Sequence, residues 1–512
     1  MKAFARLSFL TRTSLLLGFF FALDKGLAFL RSILIARTFG LSFELDAFNV
    51  ANNLPDLLFA LISGGALAMA FIPLLTEKRT LEGSSAAWDL FSRVANLAFT
   101  VTAMLAVLIA IFAPQIVRSE IGIAPGFDAE KQRLIVSLMR LNLIATLIFS
   151  LSGLVMAALQ AHQHFLTPAL APSLYNLGQI FGALFLAPRF GVHGLVYGVI
   201  LGAVLHLGVQ VPALIRYRFR WTPSLRPDAA VIESLRIFAP RLLTMFFIQL
   251  MFIARDNLAS RLDQVGAISA LTYGWMIMQV PETLLGTALA TALLPTLSEY
   301  AARREWQAFW RGIDKALGLL IALTLPAAAI LSVILEPLLG AAFGFGTEGT
   351  TLLTWTTRAY LITLCGYALQ EVLARAFYAR KEPRLPLYGV LLRMGIYLSF
   401  GIFAVRRFAS IGAPLIALAE LALTVEAIFL LVQLRRRLSP LSLAAEGGMV
   451  SAFGRGLLAA ILGGGAAWLA FRLPLPPVFQ AMFGGLFGLL PTLPLLLPEL
   501  RKFEKGERFP AA

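Results

Sequence analysis

Polar positions in this chain are sparse and grouped, and the apolar runs between them are long. Runs of about 18 or more apolar residues recur nearly end to end, each able to cross a bilayer core of about 30 Å. The runs are rich in Leu, Ala and Gly and do not alternate, so they read as helices and not as strands. The pattern predicts about fourteen helices, at roughly 12–40, 46–76, 87–115, 131–161, 165–187, 192–217, 231–262, 266–299, 306–336, 350–379, 384–405, 411–434, 451–471 and 477–497. Several exceed a bare span, which implies tilt or extension beyond the bilayer.

Charge tests the count. Alternate connections are basic: Lys78/Arg79, Arg216 to Arg226, Arg303/Arg304, Arg380/Lys381/Arg384, Arg435 to Arg437, and the tail with Arg501, Lys502, Lys505 and Arg508. The connections between them carry few charges, such as Arg118, Arg189, Arg406 and Arg472. An even number of spans with both termini in the cytoplasm satisfies the positive-inside rule throughout.

The chain also repeats itself. Arg140, Ala161, Pro168, Arg189, Phe190 and Gly194 recur as Arg358, Ala379, Pro386, Arg407, Phe408 and Gly412, all at one offset of 218. "PLLTE" at Pro73–Glu77 is echoed by "PTLSE" at Pro295–Glu299. The offset joins even-numbered segments to even-numbered ones, so the halves run in the same direction. The predicted fold is an all-α polytopic membrane protein with two parallel six-helix lobes, residues 1–220 and 221–440. Two extra helices and a basic cytoplasmic tail follow over 441–512. Parallel repeats place a substrate site in a central cavity between the lobes, with rocking as the transport step.

Composition agrees. Of 512 residues, 59% are hydrophobic and only 14% charged, and mean hydropathy is +0.80. The net charge of +15 belongs to cytoplasmic loops, and no nucleic-acid partner is expected. One cysteine, Cys365, rules out an intramolecular disulfide and reads as a small buried apolar residue. Lys2, Arg6 and Arg12 before an apolar run mimic a signal peptide. Asp24 and Lys25 follow without a small-x-small cleavage site, so the segment reads as a first helix.

No catalytic constellation emerges: Walker A, nucleophile elbow and HExxH are absent, so no enzyme and no cofactor is expected. His162-x-His164 lies at a helix junction and reads as a loop contact before a metal site. Gly463–Gly465 reads as close helix packing.

The informative residues are charges inside spans, which cost about 2.5–3.5 kcal/mol even on the mildest scale. In "FFFALDKGLAFLRSILIARTFG", Asp24 and Arg31 stand two turns apart on one face, with Lys25 and Ser32 on the adjacent stripe. A hydrated cavity wall facing an anion is favoured over a self-neutralising pair, and Arg37 reads as a snorkelling terminal residue. Arg255 and Asp256 are read equally as cavity groups or as a local pair. Arg140 and Arg358 read as interfacial anchors, and Glu371 with Arg375 as an intrahelical pair. Asp46 complements a helix dipole. Pro55 before Asp56 and Pro281 before Glu282 interrupt their helices and suggest hinges.

Four segments carry a family resemblance: Asp46–Leu75, Gln160–Asn176, Asn257–Tyr300 and Arg375–Pro386. Together they resemble the MurJ/MviN family of lipid II flippases, within the multidrug/oligosaccharidyl-lipid/polysaccharide exporter superfamily. The resemblance spans nearly the whole chain. It implies fourteen helices and movement of an undecaprenyl-diphosphate-linked peptidoglycan precursor to the outer leaflet of the bacterial cytoplasmic membrane. It also implies a basic cavity for the diphosphate and a groove of the last two helices for the lipid tail. Membrane lipids and the cell-wall synthesis machinery are the expected company. Lys25 and Arg31 occupy the family's two first-helix basic positions, with Arg255 as a third cavity cation. Asp24, Asp46 and Asp256 would tune or gate. Asp256 matches a position linked to sodium in some members, so a sodium ion or the membrane potential is the expected coupling; no other metal ligand is expected. The chain departs from the family pattern at Phe59 and Met276, where arginines are usual, at Ser32, and at Gly64-Gly65. These departures support an alternative: a divergent exporter of another lipid-linked glycan or amphipathic substrate. A membrane scaffold would need no charged cavity.

Overall fold

The structure, a computed structural model, describes residues 9–63, 66–226, 229–438 and 448–506. Every regular element among them is helical. The chain forms two compact units, Met1–Arg261 and Leu262–Ala512.

The first unit comprises α1 (Phe9–Phe39), α2 (Phe43–Ala51), α3 (Asn53–Leu58), α4 (Ala66–Glu82), α5 (Ser84–Arg118), α6 (Ala129–Ala161), α7 (Leu166–Phe181), α8 (Ala187–Phe190), α9 (Val192–Gly208), α10 (Val211–Arg216) and α11 (Ala229–Ser260). The second comprises α12 (Ala267–Glu282), α13 (Ala288–Arg303), α14 (Trp306–Phe343), α15 (Thr347–Ala379), α16 (Arg384–Phe408), α17 (Ala413–Leu418), α18 (Leu421–Leu438), α19 (Gly448–Ala470) and α20 (Pro477–Gly506). The division falls after α11, the seventh segment of the sequence pattern.

Each of the fourteen predicted segments has a helical counterpart. Eleven helices among the described residues are long and apolar enough to cross a membrane. The other three counterparts are α1, α15 and the stretch from α2 to α4. α1 and α15 carry several charges, and the α2–α4 stretch is interrupted.

That interruption corrects the prediction of one continuous helix over 46–76. Ser42 starts α2 early, its hydroxyl accepting the Leu45 N–H at 3.3 Å. The helix then breaks at Asn52, and a π-helical turn runs from Phe59 to Ser63. Pro55 offers no N–H to the carbonyl of Ala51, and its ring crowds that turn. A second π-turn, Thr283–Thr287, follows Pro281 in the second unit. Such turns absorb a break in the i→i−4 ladder. The two lie ahead of the repeated "PLLTE" and "PTLSE", so the sequence repeat extends to the defect in the helix.

Glycines set the tightest packing in the first unit. A Cβ on Gly178 would sit 2.3 Å from Gly202 Cα, and one on Gly198 2.7 Å from Gly182 Cα. Backbone therefore meets backbone between α7 and α9, the small-residue contact that lets membrane helices approach without a hydrophobic driving force. The same logic holds at Gly463, where a Cβ would lie 2.7 Å from Thr492 Cγ2 on α20. The reading of Gly463–Gly465 as packing residues therefore holds at Gly463. The core of the second unit gathers Phe309, Trp310, Leu317, Leu373, Phe377 and Leu430, from α14, α15 and α18.

The repeat-related arginines lie one third along α6 and α15. Arg140 Nε donates to the Ala110 carbonyl at 2.9 Å, and Arg358 Nε to the Ser332 carbonyl at 2.9 Å. Ala110 is the carbonyl that Pro114 leaves without its helical donor, so Arg140 replaces a missing backbone bond.

Candidate functional site: the charged stripe of α1 and the α2–α3 break

In α1, Asp24 and Arg31 meet the same residue. Arg31 Nη1 donates to Asn176 Oδ1 at 3.0 Å. Asn176 Nδ2 donates to Asp24 Oδ1 at 2.8 Å. Asn176 stands on α7, which the glycine contact locks against α9, so rigid backbone sets the position of both charges. A lone asparagine in an apolar helix was the only signal for it in the sequence, and the sequence reading did not single it out. The amide satisfies one donor of the guanidinium without neutralising it, because an amide carries no charge. Arg31 Nε is buried with no hydrogen-bond partner among the described residues.

Lys25 is exposed, its ammonium 5.3 Å from the centre of the Phe21 ring. Ser32 is buried and donates back to the Ala28 carbonyl at 2.9 Å, so it contributes nothing to the polar stripe. Arg37 is exposed in the last turn of α1, where a cation suits the helix dipole. Phe59 opens the π-turn and packs edge-on against Phe149, whose ring also meets Tyr175 on α7. The position is aromatic and 37% exposed.

A second cluster forms at the α2–α3 break. Asn142 on α6 donates to Asn52 Oδ1 at 2.8 Å. Asn53 donates to Asp256 Oδ2 at 2.9 Å, and Arg255 Nε to Asp256 Oδ1 at 2.8 Å. Gln249 reaches the Asp56 carbonyl at 3.1 Å. Side chains of α6 and α11 thus hold the broken backbone of the second segment. Asp256 is fully buried and both of its oxygens are engaged. Of the two readings of Arg255-Asp256, the local pair is the geometry present, with the Arg255 guanidinium also 5.3 Å from the Phe252 ring. Asp46 is buried in the first turns of α2. The structure therefore brings Asp24 and Arg31 together through Asn176, with Lys25 beside them in sequence. Asp256 and Arg255 form a separate group with Asn53.

In the second unit, Met276 is half-buried on α12. Glu282 is buried and accepts the Thr287 hydroxyl at 3.1 and 3.2 Å, within the π-turn that follows Pro281. Glu371 and Arg375 form the expected intrahelical pair, and Arg375 Nη2 reaches Thr291 at 3.3 Å. His162 stacks on Trp88 at 4.5 Å and shares a hydrogen bond with the Ala158 carbonyl, a loop contact as expected. Burial shifts its pKa downward. No group of three or more metal-binding side chains occurs among the described residues. Gly64 and Gly65 lie outside them.

Chemically, the α1 stripe offers an ammonium and a guanidinium with donors to spare. That is the donor set for a diphosphate.

Residues 35–483 match the sequence profile described as lipid II flippase MurJ. The chain belongs to the MurJ family. It is 31% identical to a Burkholderia cenocepacia protein named lipid II flippase MurJ, over 81% of each chain. It is 25% identical to a probable lipid II flippase MurJ of Bdellovibrio bacteriovorus, over 93% of this chain and 92% of that one. In fold it matches a structure described as lipid II flippase MurJ, inward closed conformation, with a TM-score of 0.78 at 21% identity, covering 96% of this chain and all of the other. An inward-facing multidrug resistance MATE transporter of the MOP superfamily matches with a TM-score of 0.70, at 14% identity, over 81% of this chain and 95% of that one. The chain is thus a multi-pass membrane protein of a transporter family, not of an enzyme family.

Proposed function

We propose that this chain translocates lipid II from the inner to the outer leaflet of the bacterial cytoplasmic membrane by alternating access, with both termini cytoplasmic. The observation that carries the reading is the α1 stripe. Arg31 is anchored by the uncharged Asn176, has a buried Nε without a partner among the described residues, and shares α1 with an exposed Lys25. A guanidinium so held is pre-oriented for a diphosphate, and its charge is not cancelled by its anchor. Asp24, tied to the same amide, tunes the stripe and competes with the substrate for it.

Phe59 brings no cation to the first unit's site, so Lys25 and Arg31 carry most of the diphosphate contact. The π-turns after Pro55 and Pro281 are the hinges of the cycle. Asp256 has both oxygens committed to Asn53 and Arg255, which favours the membrane potential over sodium at that residue as the driving force. The cell-wall synthesis machinery is the natural consumer of the translocated precursor.

The test is rescue. A bacterium depleted of its own lipid II flippase is supplied with this chain. Growth with normal cell shape is expected. Failure to rescue, with the chain present and folded in the membrane, contradicts the lipid II assignment and points to a different amphipathic cargo.

A further inference from the structure

A buried ionic cluster in the second unit lies outside the site described above. Arg393 on α16 reaches Glu420 Oε2 with Nη2 at 2.6 Å, and the same Nη2 lies 3.1 Å from the Tyr367 hydroxyl on α15. Its Nη1 lies 4.0 Å from Glu426 Oε2 on α18. Gln370 on α15 donates to Glu426 Oε1 at 3.2 Å. Arg393, Glu420 and Glu426 are 8%, 6% and 0% exposed.

The charges do not balance: two buried carboxylates face one guanidinium. Among the described residues, Tyr367 on α15 lies against Arg393, and the other ionisable group acting on Glu426 is Glu371 on α15, which is already paired with Arg375. Glu426 Oε2 has no hydrogen-bond partner among the described residues. An ionised carboxylate oxygen left so in a low-dielectric interior is costly, whereas a protonated one is neutral. Space for the side chain comes from Gly389 on α16, where a Cβ would lie 3.0 Å from Glu426 Cγ.

Glu420 occupies the break between α17 and α18. The backbone there is held by short-range bonds, Glu420 N–H to Ala417 and Leu423 N–H to Glu420, at 3.2 and 2.9 Å. Arg393 thus bonds the carboxylate at a break between two helices while the other carboxylate stands just out of reach. Which of the two holds the guanidinium depends on whether Glu426 is charged.

We propose that Glu426 is a proton-binding site, with Oε2 carrying an exchangeable proton that decides whether Arg393 is held by Glu420 alone or shared between both carboxylates. The proton leaves to water as a proton, its bonding electrons stay on Oε2, and the new carboxylate draws Nη1 in from 4.0 Å. Sharing Arg393 loosens its hold on the α17–α18 joint, so proton exchange accompanies bending of the second unit. The link to flipping rests on the function proposed above; the proton site itself does not.

The experiment has two arms on the full-length chain. Infrared spectroscopy of the wild-type protein, titrated from mildly acidic to mildly alkaline pH, should show a carboxylic-acid carbonyl band. One component of that band, isolated as the wild-type-minus-Glu426→Gln difference, should shift in D2O and fade as pH rises; Glu426→Gln is an isosteric variant expected to keep the wild-type melting temperature. A difference spectrum without such a component, or with one that neither exchanges nor titrates, overturns the proposal; Glu426→Asp, which keeps the carboxyl and should retain a shifted component, decides this should Glu426→Gln fold poorly. In vesicles containing lipid II, wild-type flipping should vary with pH and the Glu426→Gln rate should not. An unchanged pH profile in the variant overturns the coupling. Should neither protein flip lipid II, the flippase reading fails while the infrared arm still decides the proton site.

Discussion

Arg31 shows how one amide can prepare a charge for work. Asn176 fixes its direction and leaves its charge intact, while Asp24 shares the same amide from the other side. Replacing Arg31 by Ala should lower lipid II translocation about tenfold or more, since a hydrogen bond to a charged group is worth about 1.5–3 kcal/mol. Asn176→Ala should also slow translocation, through lost orientation, and Asn176→Asp should slow it further by neutralising Arg31. Binding of a soluble diphosphate to the purified variants would separate the two effects. Asp256 predicts the opposite signature. It is fully buried and holds both Arg255 and the break at Asn53, so Asp256→Ala should destabilise the fold by about 3–5 kcal/mol. Thermal unfolding in detergent measures that loss. A melting temperature equal to that of the wild type would mean that Asp256 is not structural. The Asp24–Arg31 face was legible in the sequence from the two-turn spacing. Asn176 was not, because a single amide in an apolar helix carries no periodic signal and its partners lie 152 and 145 positions away.

At the scale of elements, α7 is the part on which the site depends. Its glycine face against α9 leaves no room for a methyl group, so Gly198→Ala should cost about 1–3 kcal/mol through overpacking and move Asn176 with it. A fall in both melting temperature and translocation is the expected result, and loss of translocation alone would contradict it. The helix ends carry a pH signature. Asp128 caps α6 by accepting the N–H groups of Lys131 and Glu130 at 2.9 and 3.0 Å, and these bonds hold its carboxyl below the usual range. Because the folded-state value is depressed, the cap stabilises above the unfolded value near about 3.9 and is lost as pH falls through the folded one. Asp128→Asn should therefore flatten the acid limb of α6 stability, read by amide hydrogen exchange in α6. Hydropathy made the helices legible because long apolar runs have few alternative structures in a bilayer. It did not reveal the break at Asn52 or the π-turns, since Pro55 and Pro281 signal a defect without saying how the backbone absorbs it.

At the scale of the whole molecule, charge alternation predicts a topology that labelling can check. With Cys365 replaced, a cysteine at Arg189 or Arg472 should react with a membrane-impermeant reagent from outside, and one at Arg226 or Arg437 should not. The reverse pattern would contradict cytoplasmic termini. The repeat was legible as matched residues at one offset, and it reappears as two arginines that each bond a carbonyl of the preceding long helix. In the function proposed above, the α1 stripe holds a diphosphate-linked lipid as it crosses the bilayer. The most direct measurement is the appearance of lipid II in the opposite leaflet of vesicles holding the purified chain, for wild type, Arg31→Ala and Lys25→Ala. Transfer by the wild type, with marked loss in both variants at unchanged thermal stability, is the predicted result. Equal transfer by all three would mean that neither cation holds the diphosphate.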